Sequence, residues 1–187
     1  NGIEADFSQK MMEFSGYKRK KVYIRTLGGL EIYPYQDRQN PIKMRSKKER
    51  ELFAFLLDTG SFGVTKEQIY EAIWSETESD NVKKLIGVNL AHIKKDMASL
   101  DVEGLIINHQ NRYRICRDEI ECDYELLEEA AEKFRQKKSN EAAQKILSLY
   151  KGEYLADFEA FWAISKRIKY RKIYEEVLEF INLNKNC

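Results

Sequence analysis

The sequence predicts an α+β fold: a small antiparallel sheet and three helices lead into a β-hairpin, and an all-helical module follows. Three observations predict it. Short extended runs broken by Gly and Pro fill residues 22–45. Apolar residues then recur at helical spacing through three segments between 46 and 99. A second pair of short apolar runs at 105–115 precedes a stretch whose periodicity is helical from 123 onward.

The composition permits such a fold. Of 187 residues, 43% are hydrophobic and 34% charged, enough apolar surface for a core in a folded, soluble chain. Nothing approaches the run of about 18 apolar residues that a membrane helix needs. The start, Asn1 to Phe7, has neither the basic beginning nor the apolar stretch of a signal peptide. Its lack of Met reads as a cut or processed end. A cytoplasmic protein is expected. Cys116, Cys122 and Cys187 are odd in number, form no CxxC pair and lie at no zinc spacing with histidine, so they read as reduced thiols. The net charge of +1 is unevenly spread. Residues 1–50 carry 12 Lys/Arg against 6 Asp/Glu, whereas residues 118–160 carry 6 against 12. A basic front half suits a polyanionic partner, although charge runs are commonly just solvated faces.

The elements follow in order. Residues 1–21 are polar, end in Lys18-Arg19-Lys20-Lys21 and read as a linker or a short helix. Val22 to Arg25 begins a strand, Gly28-Gly29 interrupts it, and Glu31-Ile32-Tyr33 resumes it. Pro34 lacks a ladder donor, so that strand belongs at an edge or ends there. Ile42-Lys43-Met44-Arg45 is expected to make a third short strand. Ser46 with Glu49, and Thr65 with Gln68, have the spacing of capping boxes. The first opens a helix carrying Leu52, Phe53, Leu56 and Leu57 and stopped by Gly60. The second opens a helix with Ile69, Ala72 and Ile73 inward and Trp74 at its close. A polar connection, Ser75 to Asp80, precedes a third helix from about Asn81 to Ser99, with its stripe at Ile86, Leu90, Ile93 and Met97. Leu105-Ile106-Ile107 and Arg112-Tyr113-Arg114-Ile115 then flank a polar tip, as a hairpin requires.

This order is that of a winged helix-turn-helix with an N-terminal antiparallel sheet and a C-terminal hairpin wing, here residues 22–117. Residues 118–187 form the helical module. Asp123 is expected to cap Tyr124 to Lys137, with Leu126, Leu127, Ala130, Ala131 and Phe134 inward. Ser139 should cap a helix to Tyr150, with Ala142, Ala143, Ile146 and Leu147 inward. A long helix from about Phe158 to Ile181 should bury Trp162, Ile164, Ile168, Ile173, Val177 and Phe180. Helix pairs joined by short turns are tetratricopeptide-like, but about one and a half units are too few to stand as a solenoid, so they should pack on the first domain or continue beyond it.

The third helix carries the functional signal. On a wheel of about 100° per residue, its apolar stripe points one way, and Asn81, Lys84, Val88, Ala91, His92 and Lys95 point the other. A helix that enters a major groove needs one buried face and one free one. Lys84 and Lys95 are candidates for phosphates or guanine edges, and Lys83 is a further candidate DNA contact. Asn89 lies on the flank, within reach of adenine or the backbone. Val88 suits a thymine methyl, and the small Gly87 and Ala91 permit close approach. An ordinary amphipathic helix has much of the same pattern. The tip from Asn108 to Arg112, with His109 and Gln110, has no carboxylate and suits a narrow, negative minor groove. Arg112 and Arg114 alternate onto one face of the returning strand.

These segments also resemble a known family. Leu27 to Ile32 and Arg45-Ser46-Lys47-Lys48-Glu49-Arg50-Glu51-Leu52-Phe53 look like the opening of the OmpR-type winged helix of the antibiotic-regulatory activators. Val64 to Ile69 with Ala72-Ile73-Trp74, Asn81 to Met97, and Arg112 to Ile115 are similar to its later elements. Glu121-Cys122-Asp123-Tyr124 and Leu149 to Asp157 with Trp162 look like the bacterial transcriptional activation domain that follows it. The resemblance spans residues 22–181 and rests on the joint order of the motifs. It implies a sequence-specific transcriptional regulator that binds double-stranded DNA, as a homodimer on direct repeats, with RNA polymerase as a further partner. Lys84, Val88, Asn89, Ala91, His92 and Lys94 fall where the family contacts the major groove, and His109 falls at a wing position. Two positions depart from the family: Ala91 replaces a basic residue, and Arg112 replaces the wing glycine before Tyr113. Some relatives carry a phosphoacceptor receiver, and the basic segment 1–21 resembles the linker after one. The implied role is therefore the effector part of a two-component response regulator. The alternative is a protein-interaction adaptor whose winged helix binds no DNA. No catalytic constellation, cofactor motif or metal-ligand spacing is present: Gly28-Gly29 lacks a following Lys-Ser/Thr, and paired carboxylates such as Glu128-Glu129 sit side by side on helices. An enzyme is not expected. The aromatics Tyr154, Phe158, Phe161 and Trp162 read as core or interdomain packing.

Overall fold

The computed structural model describes residues 20–77, 81–100, 102 and 104–185. Most of the expected linker 1–21, the end of the connection Ser75 to Asp80, and Cys187 lie outside the described residues. The elements in order are β1 (Val22–Arg25), β2 (Glu31–Pro34), α1 (Lys47–Asp58), α2 (Lys66–Ile73), α3 (Val82–Asp96), β3 (Ile106–His109), β4 (Arg112–Ile115), β5 (Ile120–Cys122), α4 (Asp123–Lys137), α5 (Asn140–Leu149) and α6 (Ile164–Lys185). The chain is thus mixed α+β, with two small sheets and six α-helices among the described residues.

The first sheet has the order β2-β1-β5. β1 and β2 are antiparallel, with Val22 opposite Pro34 and Arg25 opposite Glu31. β2 is an edge strand, where the missing donor of Pro34 interrupts no ladder. The expected third strand, Ile42–Arg45, does not form. Ile42 gives one backbone bond, to Ile32 O at 2.7 Å, and the chain then turns into α1. The other side of β1 carries β5, which runs parallel to β1, with Val22 opposite Ile120 and Ile24 opposite Cys122. Three residues, two of them buried, leave little pattern from which to foresee a strand.

α1 begins where Ser46 Oγ accepts from the Glu49 amide at 3.1 Å. The reciprocal half of that capping box is absent, because Glu49 Oε2 accepts from the Arg45 amide instead. At α2 both halves form between Thr65 and Gln68. α3 is shorter than expected, ending at Asp96, with a 3-10 turn at Ala98–Leu100.

In the second half, Asp123 is the first residue of α4 rather than its cap, which is Cys122. The Asp123 carboxylate is buried and turns back to the sheet. It accepts from the Thr26 amide at 2.8 and 2.9 Å, the Thr26 hydroxyl at 2.6 Å and the Leu27 amide at 2.8 Å. Leu127, Ala130, Ala131 and Phe134 are buried as their spacing requires, while Leu126 is only half-buried. Ser139 caps α5, and Ala142, Ala143 and Ile146 face inward, with Leu147 half-buried. The last helix starts at Ile164, six residues later than expected, after a 3-10 turn at Phe161–Ala163. Ile164 and Ile168, expected inside, are exposed, and Phe161 is 89% exposed. Tyr154 and Phe158 are buried, and Trp162 is half-buried with its ring edge-on to Phe55.

The two halves share one continuous core. The turn Leu27–Leu30 docks on the loop 152–157. Leu27 bridges Tyr154, Gly28 N bonds Glu153 O at 3.0 Å, and Leu155 N bonds Thr26 O at 2.7 Å. Gly29 has φ +130°, and a Cβ there would lie 2.7 Å from Asp157 Oδ1, so this turn requires glycine twice over. Asp157 Oδ2 also accepts from the Leu30 amide and from Arg50. Beneath this seam the rings of Tyr124, Tyr154 and Tyr170 pack together. Arg167 donates to the carbonyls of Tyr154, Leu155 and Phe158 and fixes the loop's course. Cys116 and Cys122 are free and buried, and burial pushes the Cys122 thiol up to about 12.

Candidate nucleic-acid interface

α3 packs on α1 and α2 through Val82, Ile86, Leu90 and Ile93, all buried. Ile86 and Ile93 have no exposure at all, which fixes the helix's rotation about its axis. The opposite side is therefore presented to solvent. Lys84, Ala91 and Lys95 are exposed on it, and Lys83, Gly87 and Lys94 are exposed on the flank beside the buried stripe. Val88 is 49% exposed and Leu85 is 40% exposed, unusual values for large apolar side chains on a charged helix.

The cations are nearly unencumbered. Lys83 Nζ is 3.9 Å from Glu67 Oε1, but both side chains are largely exposed, so the pair holds little energy. Lys84, Lys94 and Lys95 have no ion-pair partner among the described residues. Lys94 and Lys95 lie in the last turn, where a positive charge complements the helix dipole. Asn89 is more restricted than its sequence position implies. Its Nδ2 donates to Leu85 O at 2.8 Å, a bond back to the preceding turn.

His92 is only half free. Its Nδ1 lies 2.8 Å from Oε1 of Glu49, a carboxylate 3% exposed, while the imidazole side chain itself is 39% exposed. Beside this pair, Arg45 Nε donates to Asp96 Oδ1 at 2.9 Å, so α3 is tied to the entrance of α1 at two points. Sequence reasoning missed Glu49, Arg45 and Asp96. The Ser46–Glu49 spacing had a sufficient local explanation, and nothing local signals a partner 43 residues away.

The hairpin pairs Ile106 with Ile115 and His109 with Arg112. Gln110 and Asn111 make a two-residue loop with φ of 50° and 61°, the left-handed pair of a type I′ turn. The tip is thus narrower than the span Asn108 to Arg112, and its exposed side chains are His109, Gln110, Asn111 and Arg112. A further bridge, unforeseen, joins Tyr113 to Val64 between α1 and α2, at 2.9 and 2.7 Å. Gly63 permits it: a Cβ there would lie 2.9 Å from Tyr113 O.

Arg112 is engaged within the protein. Its Nε donates to Phe62 O at 2.9 Å and its Nη2 to Gly63 O at 2.8 Å, so the fork grips the turn after α1. Arg114 is half-buried on the same side, with its Cβ against the Gly63 position. Of the twelve residues singled out from the sequence, nine are exposed. Asn89, His92 and Arg114 are intermediate. α3 and the hairpin belong to one body, because β4 packs on α1 and on the turn at Gly60–Phe62. None of the described helices is long and apolar enough to cross a membrane.

No family model matches the chain, and no curated protein matches it in sequence. Among solved structures, the fold is similar to that of Mycobacterium tuberculosis EmbR in complex with a low-affinity phosphopeptide. The TM-score is 0.55 at 16% sequence identity, over 86% of this chain and 42% of that one. The chain thus spans less than half the length of that protein, and at this identity the likeness is one of fold.

Proposed function

We propose that this chain is a sequence-specific DNA-binding transcriptional regulator and that α3 is its reading helix. One observation carries the reading: the side of α3 bearing Lys84, Val88, Ala91 and Lys95 is exposed. Lysines there neutralise phosphates, which supplies affinity without sequence information. Val88, Asn89 and His92 supply selectivity at base edges. His109 and Gln110 at the hairpin tip reach the minor groove. Arg112 and Arg114 support the hairpin rather than the duplex.

The likeness of fold to EmbR supports a regulatory role. Within it, residues 22–117 bind DNA and residues 118–187 form the activation module. The chain acts in the cytoplasm as the effector part of a response regulator, as a homodimer on direct repeats, with RNA polymerase as a further partner. The test is selection of duplexes from a random pool followed by anisotropy titration. We expect a defined sequence to be enriched. Lys84→Ala and Lys95→Ala should each weaken binding to all duplexes about equally, and His92→Ala should change preference among them. Unchanged binding in all three variants would remove α3 as the reader. Failure of the chain to enrich any duplex would favour the adaptor, in which the exposed apolar residues Phe161, Ile164 and Ile168 of the helical module meet a protein.

A further inference from the structure

We infer that Glu49 is a positioning residue that sets which hydrogen-bonding character His92 offers to a base edge; this rests on the DNA-binding reading above. A neutral imidazole has one N–H donor and one acceptor nitrogen, and whatever faces one nitrogen decides the role of the other. Glu49 Oε2 is held by the Arg45 amide at 3.1 Å, which leaves Oε1 pointing at His92 Nδ1 at 2.8 Å. The carboxylate is buried and its backbone is anchored by the Ser46 hydroxyl, so it has no freedom to turn away. An acceptor facing Nδ1 places the ring proton there. Nε2 has no partner among the described residues and is then a bare acceptor on the side of α3 that carries Val88 and Lys95. Such an acceptor complements the amino groups of adenine or cytosine in the major groove and not the acceptor edge of guanine.

The arrangement predicts an inversion. In Glu49→Gln the Arg45 amide still needs an acceptor and keeps the amide oxygen. The NH2 group then faces Nδ1, which must accept, and the proton moves to Nε2. His92 becomes a donor toward the groove, suited to guanine N7 and O6.

The test has two arms on the full chain. In the first, nitrogen NMR of histidine-labelled protein without DNA is recorded where the ring shifts report the neutral form. The expected result is the Nδ1–H tautomer in the wild type and the Nε2–H tautomer in Glu49→Gln; an Nε2–H wild type overturns the inference. In the second, both proteins select from a random duplex pool. One base position should move from adenine or cytosine toward guanine, by roughly tenfold in relative affinity. If both proteins select the same bases at every position, the inference fails while DNA binding stands. If neither selects any duplex, the DNA-binding reading itself fails. Should Glu49→Gln not fold, the wild-type spectrum and a pool selection with His92→Ala decide. Nδ1–H together with a preference lost at one position supports the inference. Nε2–H, or preferences unchanged, contradicts it.

Discussion

At the scale of single residues, Asp123 shows how a position can be right for a different reason than its type implies. Its place before a helical run is that of a cap, yet its carboxylate is spent across the fold on Thr26 and Leu27. Burial raises its carboxyl above the usual range, and the bonds from Thr26 and Leu27 offset that in part. Asp123→Asn leaves one oxygen for these donors and sets an NH2 against a buried N–H. Chemical denaturation should show a loss of about 2 kcal/mol or more. A neutral result would mean that Thr26 and Leu27 find other partners. Gly29→Ala meets both a positive φ and Asp157 Oδ1, and the same assay should register a loss of about 1–3 kcal/mol. Cys122, buried with its thiol pushed up to about 12, should resist alkylation in the native chain and react on unfolding.

At the scale of elements, the hairpin and α3 divide the work. Arg112 replaces the glycine that the family resemblance leads one to expect, and its fork on Phe62 O and Gly63 O gives the substitution a purpose. Arg112→Lys keeps the charge and loses the fork. If Arg112 anchors the hairpin, amide exchange across β3 and β4 should speed up while DNA affinity changes little at fixed salt. If it contacts phosphate, affinity changes little as well but exchange stays as in the wild type. Most elements were legible because their signals are local. Ser46, Thr65 and Ser139 cap the helices they announce, and Ile86, Leu90 and Ile93 form the stripe their spacing describes. What escaped was nonlocal. β5 exists only because β1 lies beside it, and Ile42–Arg45 makes one backbone bond to β2 and then turns toward α1 without continuing as a strand. Ile164 and Ile168 fit an apolar stripe by spacing, but the chain before them is held in a 3-10 turn and α6 starts late, which leaves both outward. At the candidate interface the exposed lysines and Val88 were visible in the sequence, whereas the Glu49–His92 contact was not.

At the scale of the whole molecule, the seam between the halves is built on tyrosines. Burial holds the phenols of Tyr124, Tyr154 and Tyr170 above their ordinary range, reinforced by Asp58 beside Tyr154 and Glu128 beside Tyr170. In the unfolded chain these phenols ionise near pH ~10. Their native counterparts keep the proton to higher pH, so the unfolded state sheds protons first. Stability present below about pH 10 should fall as pH rises past it, by roughly 1.4 kcal/mol per unit for each lagging phenol. Tyrosine difference absorbance should therefore rise together with loss of helix by circular dichroism. Phenols titrating near pH ~10 in a chain still folded would contradict this.

DNA recognition by this chain depends on the uncovered cationic side of α3 lying along a duplex, and the salt dependence of binding tests that most directly. For the selected duplex, the logarithm of affinity should fall linearly with the logarithm of salt. Engagement of about six phosphates predicts a loss of roughly 10³ between about 50 and 200 mM. Lys84→Ala should make the slope shallower by about 1. An affinity that does not change with salt, or a slope that Lys84→Ala leaves as steep as in the wild type, would contradict it.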